Sequence, residues 1–75
     1  MPHLTVQYTA NLVLDADTLL GRLNHALVAS GHFGEEAIKS RLVALDGFRV
    51  GTDEHAPRAF VHARLRILPA RDETV

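Results

Sequence analysis

Cysteine is absent from this 75-residue chain. Without a thiol there is no disulfide framework, no zinc–thiolate site and no cysteine nucleophile. Long apolar runs are also missing, since no stretch approaches the roughly 20 residues that cross a bilayer as a helix. The first residues carry neither the basic nor the apolar region of a secretory signal. Nor is there a surplus of charge of one sign: eight Lys and Arg oppose nine Asp and Glu, a formal net charge of −1. That balance gives no overall electrostatic pull toward nucleic acid or anionic lipid. No G-x-S-x-G elbow and no glycine-rich phosphate loop occurs, so hydrolase and nucleotide-binding readings have no motif behind them.

What is present fits a small globular domain. The hydrophobic fraction is 47%, ordinary for a folded protein and high for a disordered one. A chain this short hides only about 60% of its unfolded surface. One domain spanning 1–75 is expected, soluble and cytoplasmic by default, and oligomerisation is expected to supply the burial it lacks.

Residues 2–8 alternate. Pro2, Leu4, Val6 and Tyr8 fall on one face and His3, Thr5 and Gln7 on the other, the period of a half-buried strand. Asn11 breaks the pattern. From Asp15 the period lengthens, and Ala16, Leu19, Leu20, Leu23, Ala26 and Leu27 form one stripe of a helix over about 15–30. Those leucines are expected in the core. Asp15 or Asp17 caps the helix, and Gly31 stands where a C′ glycine belongs. GHFGEEAIKS reads as a connector with one helical turn at 35–38. SRLVALDGFRV reads as a strand in which Asp46-Gly47 makes either a tight hairpin or a bulge. GTDEHAP is a polar turn segment. RAFVHARLRIL is the longest strand candidate, with His62, Arg64 and Arg66 on one face, read as solvated or subunit-facing. Pro69 closes it, and Ala70 to Val75 has the acidic look of a first helical turn. A single turn does not hold itself together. The expectation is an N-terminal fragment of a longer chain, lacking a second helix and a final strand, with 70–75 poorly ordered or packed on a neighbour.

Two groups of residues carry candidate chemistry. Pro2 follows the initiator methionine directly. Its bland role is to begin a strand, which suits a residue without an amide hydrogen. If Met1 is removed, Pro2 becomes a secondary amine, a base and nucleophile that a proline within a chain is not. Lys39, Arg41 and Arg71 lie near strand ends that can converge on one rim of a sheet, where cations would hold carboxylates through charge-assisted hydrogen bonds. The alternative is three ordinary surface cations. The five histidines show neither H-x-H nor H-x-x-x-H spacing, so a metal site is not expected. His3 and His62 are expected to meet across neighbouring strands as a packed pair.

MPHLTVQYTANL, the amphipathic helix ending ASGHF, IKSR, AFVHARLRI and the closing Arg71 together resemble the 5-carboxymethyl-2-hydroxymuconate delta-isomerase family. That family belongs to the tautomerase superfamily with 4-oxalocrotonate tautomerase. The resemblance implies an α+β, two-layer fold built from β-α-β units, strand-helix-strand-strand here, assembled as a homotrimer with sites at subunit boundaries. It implies a cofactor-free isomerase of aromatic-compound catabolism, shifting a double bond in an unsaturated 2-hydroxy dicarboxylic or tricarboxylic acid. By position Pro2 matches the catalytic proline, and Arg41 and Arg71 match site arginines. Lys39 stands where the pattern has arginine; it keeps the charge but loses the planar two-pronged grip on a carboxylate. The loop before the helix is two residues shorter. The rival reading is a non-catalytic α/β oligomerisation or ligand-binding domain in which Pro2 merely begins a strand. In the isomerase reading, burial and nearby cations favour the neutral amine and lower its pKa below that of an ordinary α-amino group, about 7.7–8.0.

Overall fold

A computed structural model describes residues 2–67 of the chain. Strand β1, His3–Thr9, leads through a short turn into helix α1, Ala16–Ala29. A single 3-10 turn at Glu35–Ala37 precedes β2, Lys39–Leu45, and a long loop then delivers β3, Val61–Arg66. The three strands form one sheet in the order β2-β1-β3. β1 runs parallel to β2 and antiparallel to β3. Parallel neighbours need a crossover of a dozen residues or more, and α1 with its flanking turns provides it. Helix and sheet thus make the two layers of a small α+β unit, the β-α-β arrangement expected of the sequence. Among the described residues no helix is long and apolar enough to cross a membrane.

The helix begins as the sequence predicts. Of the two candidate caps it is Asp15 that serves: its carboxylate accepts from the Thr18 amide at 3.4 Å and from the Thr18 hydroxyl at 2.9 Å. The helix ends at Ser30, whose amide donates to the Ala26 carbonyl at 3.2 Å. Gly31 follows at φ +82°, and its amide donates to the Val28 carbonyl at 3.0 Å. A left-handed residue just past a helix is the role that favours glycine.

The core lies on the even-numbered face of β1. Leu4 and Val6 are buried there with the Pro2 ring, and Ile38, from the connector, closes one end. The stripe on α1 is shallower than expected. Leu19, Leu20, Leu23 and Leu27 are half-buried, Ala16 and Ala26 are exposed, and no helix residue is fully buried. One helix against a three-stranded sheet covers β1 and β2, where Ser40 and Leu42 are half-buried, and leaves every residue of β3 exposed. Val61 keeps 52% and Leu65 42% of their surface.

Three other expectations change. β2 stops at Leu45, and Asp46-Gly47 is the bend that ends it, neither hairpin nor bulge. The strand after it pairs with β1 instead of folding back on β2, so no tight turn is required there. β3 is shorter than its alternating pattern, running from Val61 to Arg66. His3 and His62 do not meet: His3 pairs with Arg66, and His62 pairs with Gln7 four residues along. At ~3.4 Å per residue that separates the two rows by ~14 Å. The closing strand residue Pro69, the segment 70–75 and Arg71 lie outside the described residues.

Candidate functional site

Pro2 enters the sheet one residue before β1. Its ring is fully buried on the helix-covered face, and its carbonyl accepts the Lys39 amide at 3.1 Å. That bond joins the head of β1 to the head of β2. The proline nitrogen, a backbone atom, is therefore held at the rim from which β2 also starts. The local sequence explains the placement: a residue with no amide hydrogen costs no ladder bond at a strand head.

Lys39 and Arg41 share that end of the sheet but lie on the odd-numbered face, away from the helix. Lys39 pairs with His3 and Arg41 with Thr5. The Lys39 ammonium donates to the Ala37 carbonyl at 3.3 Å. The Arg41 guanidinium reaches across to the central strand, where Nη1 donates to Thr5 Oγ1 at 3.2 Å and Nη2 lies 2.8 Å from His3 Nδ1. A guanidinium has only donors, so His3 Nδ1 must be the acceptor and its ring proton belongs on Nε2. Among the described residues two of the five donors of Arg41 are thus engaged, which fixes the plane of the group.

Neither His3 nor Thr5 stands out in the sequence as a partner of Arg41. Their signal is the parallel register of β1 with β2, and alternation within one strand does not contain it. Arg64 and Arg66 also come to this face, Arg64 opposite Thr5 and Arg66 opposite His3. The odd-numbered face therefore reads, across β2, β1 and β3, as Lys39–His3–Arg66, then Arg41–Thr5–Arg64, then Val43–Gln7–His62. Four of the described Lys and Arg lie here, and none of the described Asp and Glu. A net charge near zero conceals a strongly segregated one.

The other histidines stand apart. His32 packs edge-on against Phe33 with centroids 6.2 Å apart, and His55 donates its amide to the Asp53 carboxylate at 3.0 Å in the loop before β3. Among the described residues, no three His, Cys, Asp or Glu side chains gather as a metal site would require.

Comparison with curated proteins yields no match. The sequence profile of the 5-carboxymethyl-2-hydroxymuconate isomerase family matches residues 2–75. It covers the strand-leading proline, the helix, both flanking strands and Arg71, and so the chain belongs to the 5-carboxymethyl-2-hydroxymuconate isomerase family, within the tautomerase superfamily.

Proposed function

We propose that this chain is a cofactor-free isomerase that moves a carbon–carbon double bond in an unsaturated 2-hydroxy acid bearing two or three carboxylates. Its setting would be the cytoplasm, in the catabolism of aromatic compounds. The observation that carries the reading is the family match, which begins at Pro2 and runs through Arg71. The placement of Pro2 at the shared rim of β1 and β2 agrees with it.

The chemistry follows from the residue types. Once Met1 is removed, the Pro2 nitrogen is a secondary amine with a free electron pair. It takes a proton from the substrate's hydroxyl or carbon and returns that proton to another carbon, so the double bond moves and no proton is gained or lost overall. A general base is most effective when its pKa lies near the working pH. Burial of the ring disfavours the protonated amine, and the cations that this reading gathers around the substrate push the same way. The rate is expected to rise as pH climbs through the pKa of this group. Lys39, Arg41 and Arg71 hold the substrate carboxylates and stabilise charge that develops on the dienolate. If Met1 stays in place, the nitrogen is a tertiary amide without basicity, and the same fold is inactive.

Copies of the chain assemble in this reading as a homotrimer through sheet edges and the face that bears His62, Arg64 and Arg66. Light scattering at micromolar concentration checks this, and a monomeric mass refutes it. The test of the activity is absorbance-followed isomerisation of a 2-hydroxymuconate-type substrate. The processed chain should turn substrate over without added cofactor. Pro2→Ala leaves a primary amine and should slow turnover without abolishing it, and Arg71→Ala should chiefly raise KM. A processed chain with no turnover would remove the isomerase reading.

A further inference from the structure

We infer that His3 is a proton-sensitive positioning residue: it orients the Arg41 guanidinium only while its own ring is neutral, and releases it when the ring takes up a proton. Its effect on turnover rests on the carboxylate-holding role proposed above for Arg41. That role then fades as pH falls through the titration of His3, with no change at Arg41 itself.

The geometry sets the direction. Arg41 is exposed on β2, at the edge of the described sheet, whereas His3 and Thr5 are half-buried on the central strand. An arginine at such a place has many rotamers open to it in water. Here Nη2 lies 2.8 Å from His3 Nδ1 and Nη1 donates to Thr5 Oγ1 at 3.2 Å, so two acceptors on one strand select one posture. An imidazole nitrogen with a lone pair accepts, and the same nitrogen with a proton donates. Protonation of His3 would therefore set Nδ1–H against Nη2–H and one positive charge against another. The contact does not survive that change.

No described neighbour offers the charged ring a substitute. Lys39 on β2 and Arg66 on β3 stand directly opposite His3, and Arg41 and Arg64 occupy the next row. On β1 the same face continues with Thr5 and Gln7, which carry no charge, and α1 packs on the other face. His62, the other imidazole of this face, lies two rows away, ~14 Å along the strand. Thr5 Oγ1 does not titrate, so it keeps its hold on Nη1 while Nη2 is let go. Arg41 is then pinned at one point instead of two and pivots. The expected loss is partial, about fivefold, the worth of one ordinary hydrogen bond.

Imidazole changes charge between about pH 5 and pH 8, and the test spans that range. Heteronuclear NMR of the chain with Met1 retained needs neither the Pro2 amine nor turnover, so its outcome is separate from that of the isomerase proposal. The neutral His3 ring should carry its proton on Nε2. The Arg41 side-chain signals should shift with the His3 midpoint, while those of Arg22 on α1 stay in place. His3→Asn sets an amide oxygen near the place of Nδ1, an acceptor that does not titrate, and should leave the Arg41 signals flat across the range. In the processed chain, the parent KM should rise about fivefold relative to that of His3→Asn as pH falls. The rise of kcat with pH belongs to Pro2 and should be the same in both. His3→Leu, with no acceptor, should show the raised KM at every pH. A processed chain without turnover would remove the isomerase reading and leave the NMR titration to decide this one. A neutral ring with its proton on Nδ1, Arg41 signals that ignore the His3 midpoint, or the same pH dependence of KM in parent and His3→Asn would each overturn the proposal.

Discussion

Replacing Thr9 by valine tests the account of how β3 is held to the rest of the sheet. Thr9 ends β1 with no exposed surface. Its amide donates to the Phe60 carbonyl at 3.1 Å, so the pairing of β1 with β3 continues one step past Tyr8 and Val61. The Thr9 carbonyl makes no return bond to Phe60 and turns instead to the Leu12 amide, which it accepts at 3.0 Å. The side chain substitutes: the Phe60 amide donates to Thr9 Oγ1 at 3.2 Å. Valine keeps the shape and removes that acceptor. A buried donor left unpaired costs about 1–3 kcal/mol. Phe60 is 37% exposed, so water recovers part of the loss. The net cost should be about 1 kcal/mol. Thr9→Ser keeps the oxygen and loses a buried methyl group, again about 1 kcal/mol, and Thr9→Ala loses both, about 2 kcal/mol. In a domain this size each kcal/mol lowers Tm by about 4–8 °C. Thermal unfolding followed by circular dichroism at one protomer concentration reads the series. Thr9→Val melting at or above the parent temperature would refute the claim that the hydroxyl substitutes for the missing ladder bond.

Two further changes probe the helix ends. Asp15→Ala removes the acceptor of the Thr18 amide and hydroxyl and should cost about 1 kcal/mol of stability by the same melts, whereas Asp17→Ala should cost distinctly less. Gly31→Ala forces a side chain into φ +82° although nothing lies within 4 Å of the new Cβ. Its cost should be purely conformational, about 1–2 kcal/mol, with no repacking visible in amide shifts beyond the helix end.

The elements were legible because each rests on a local period. Alternation over 2–8 and 61–66, the three-four spacing of the leucines and the Asp15 and Gly31 signals all arise within a few residues. Depth and register were not legible, because they depend on partners distant in the chain. The leucine stripe identified the helix correctly, but half-burial follows from how little sheet one helix covers. Asp46-Gly47 has hairpin chemistry, yet β3 pairs with the far side of β1, so the local preference gives way to tertiary context. Ile38 and Thr9 are buried by what arrives from elsewhere, and neither breaks a pattern. At the site, Pro2 was visible from its position, and Lys39 and Arg41 from their place at a strand head. The contact of Arg41 with His3 and Thr5 was hidden, as was the gathering of Arg64 and Arg66 beside it. Both follow only when β1 is known to run parallel to one neighbour and antiparallel to the other.

The most direct test of the central claim compares two forms of the chain that differ only at the N-terminus. One begins at Pro2, verified by intact mass, and the other carries Met1 or an added residue ahead of the proline. The Pro2 carbonyl is bonded to the Lys39 amide and its nitrogen donates no ladder bond. Both forms should therefore melt together at a pH above the ordinary α-amino range, where the amine is neutral in folded and unfolded chain alike. Isomerisation of a 2-hydroxymuconate-type substrate, followed by absorbance across pH, should proceed in the processed form with a rate that rises as the amine loses its proton. It should vanish in the blocked form at every pH. Equal rates in the two forms would mean that Pro2 only begins a strand, and the general-base account would fail.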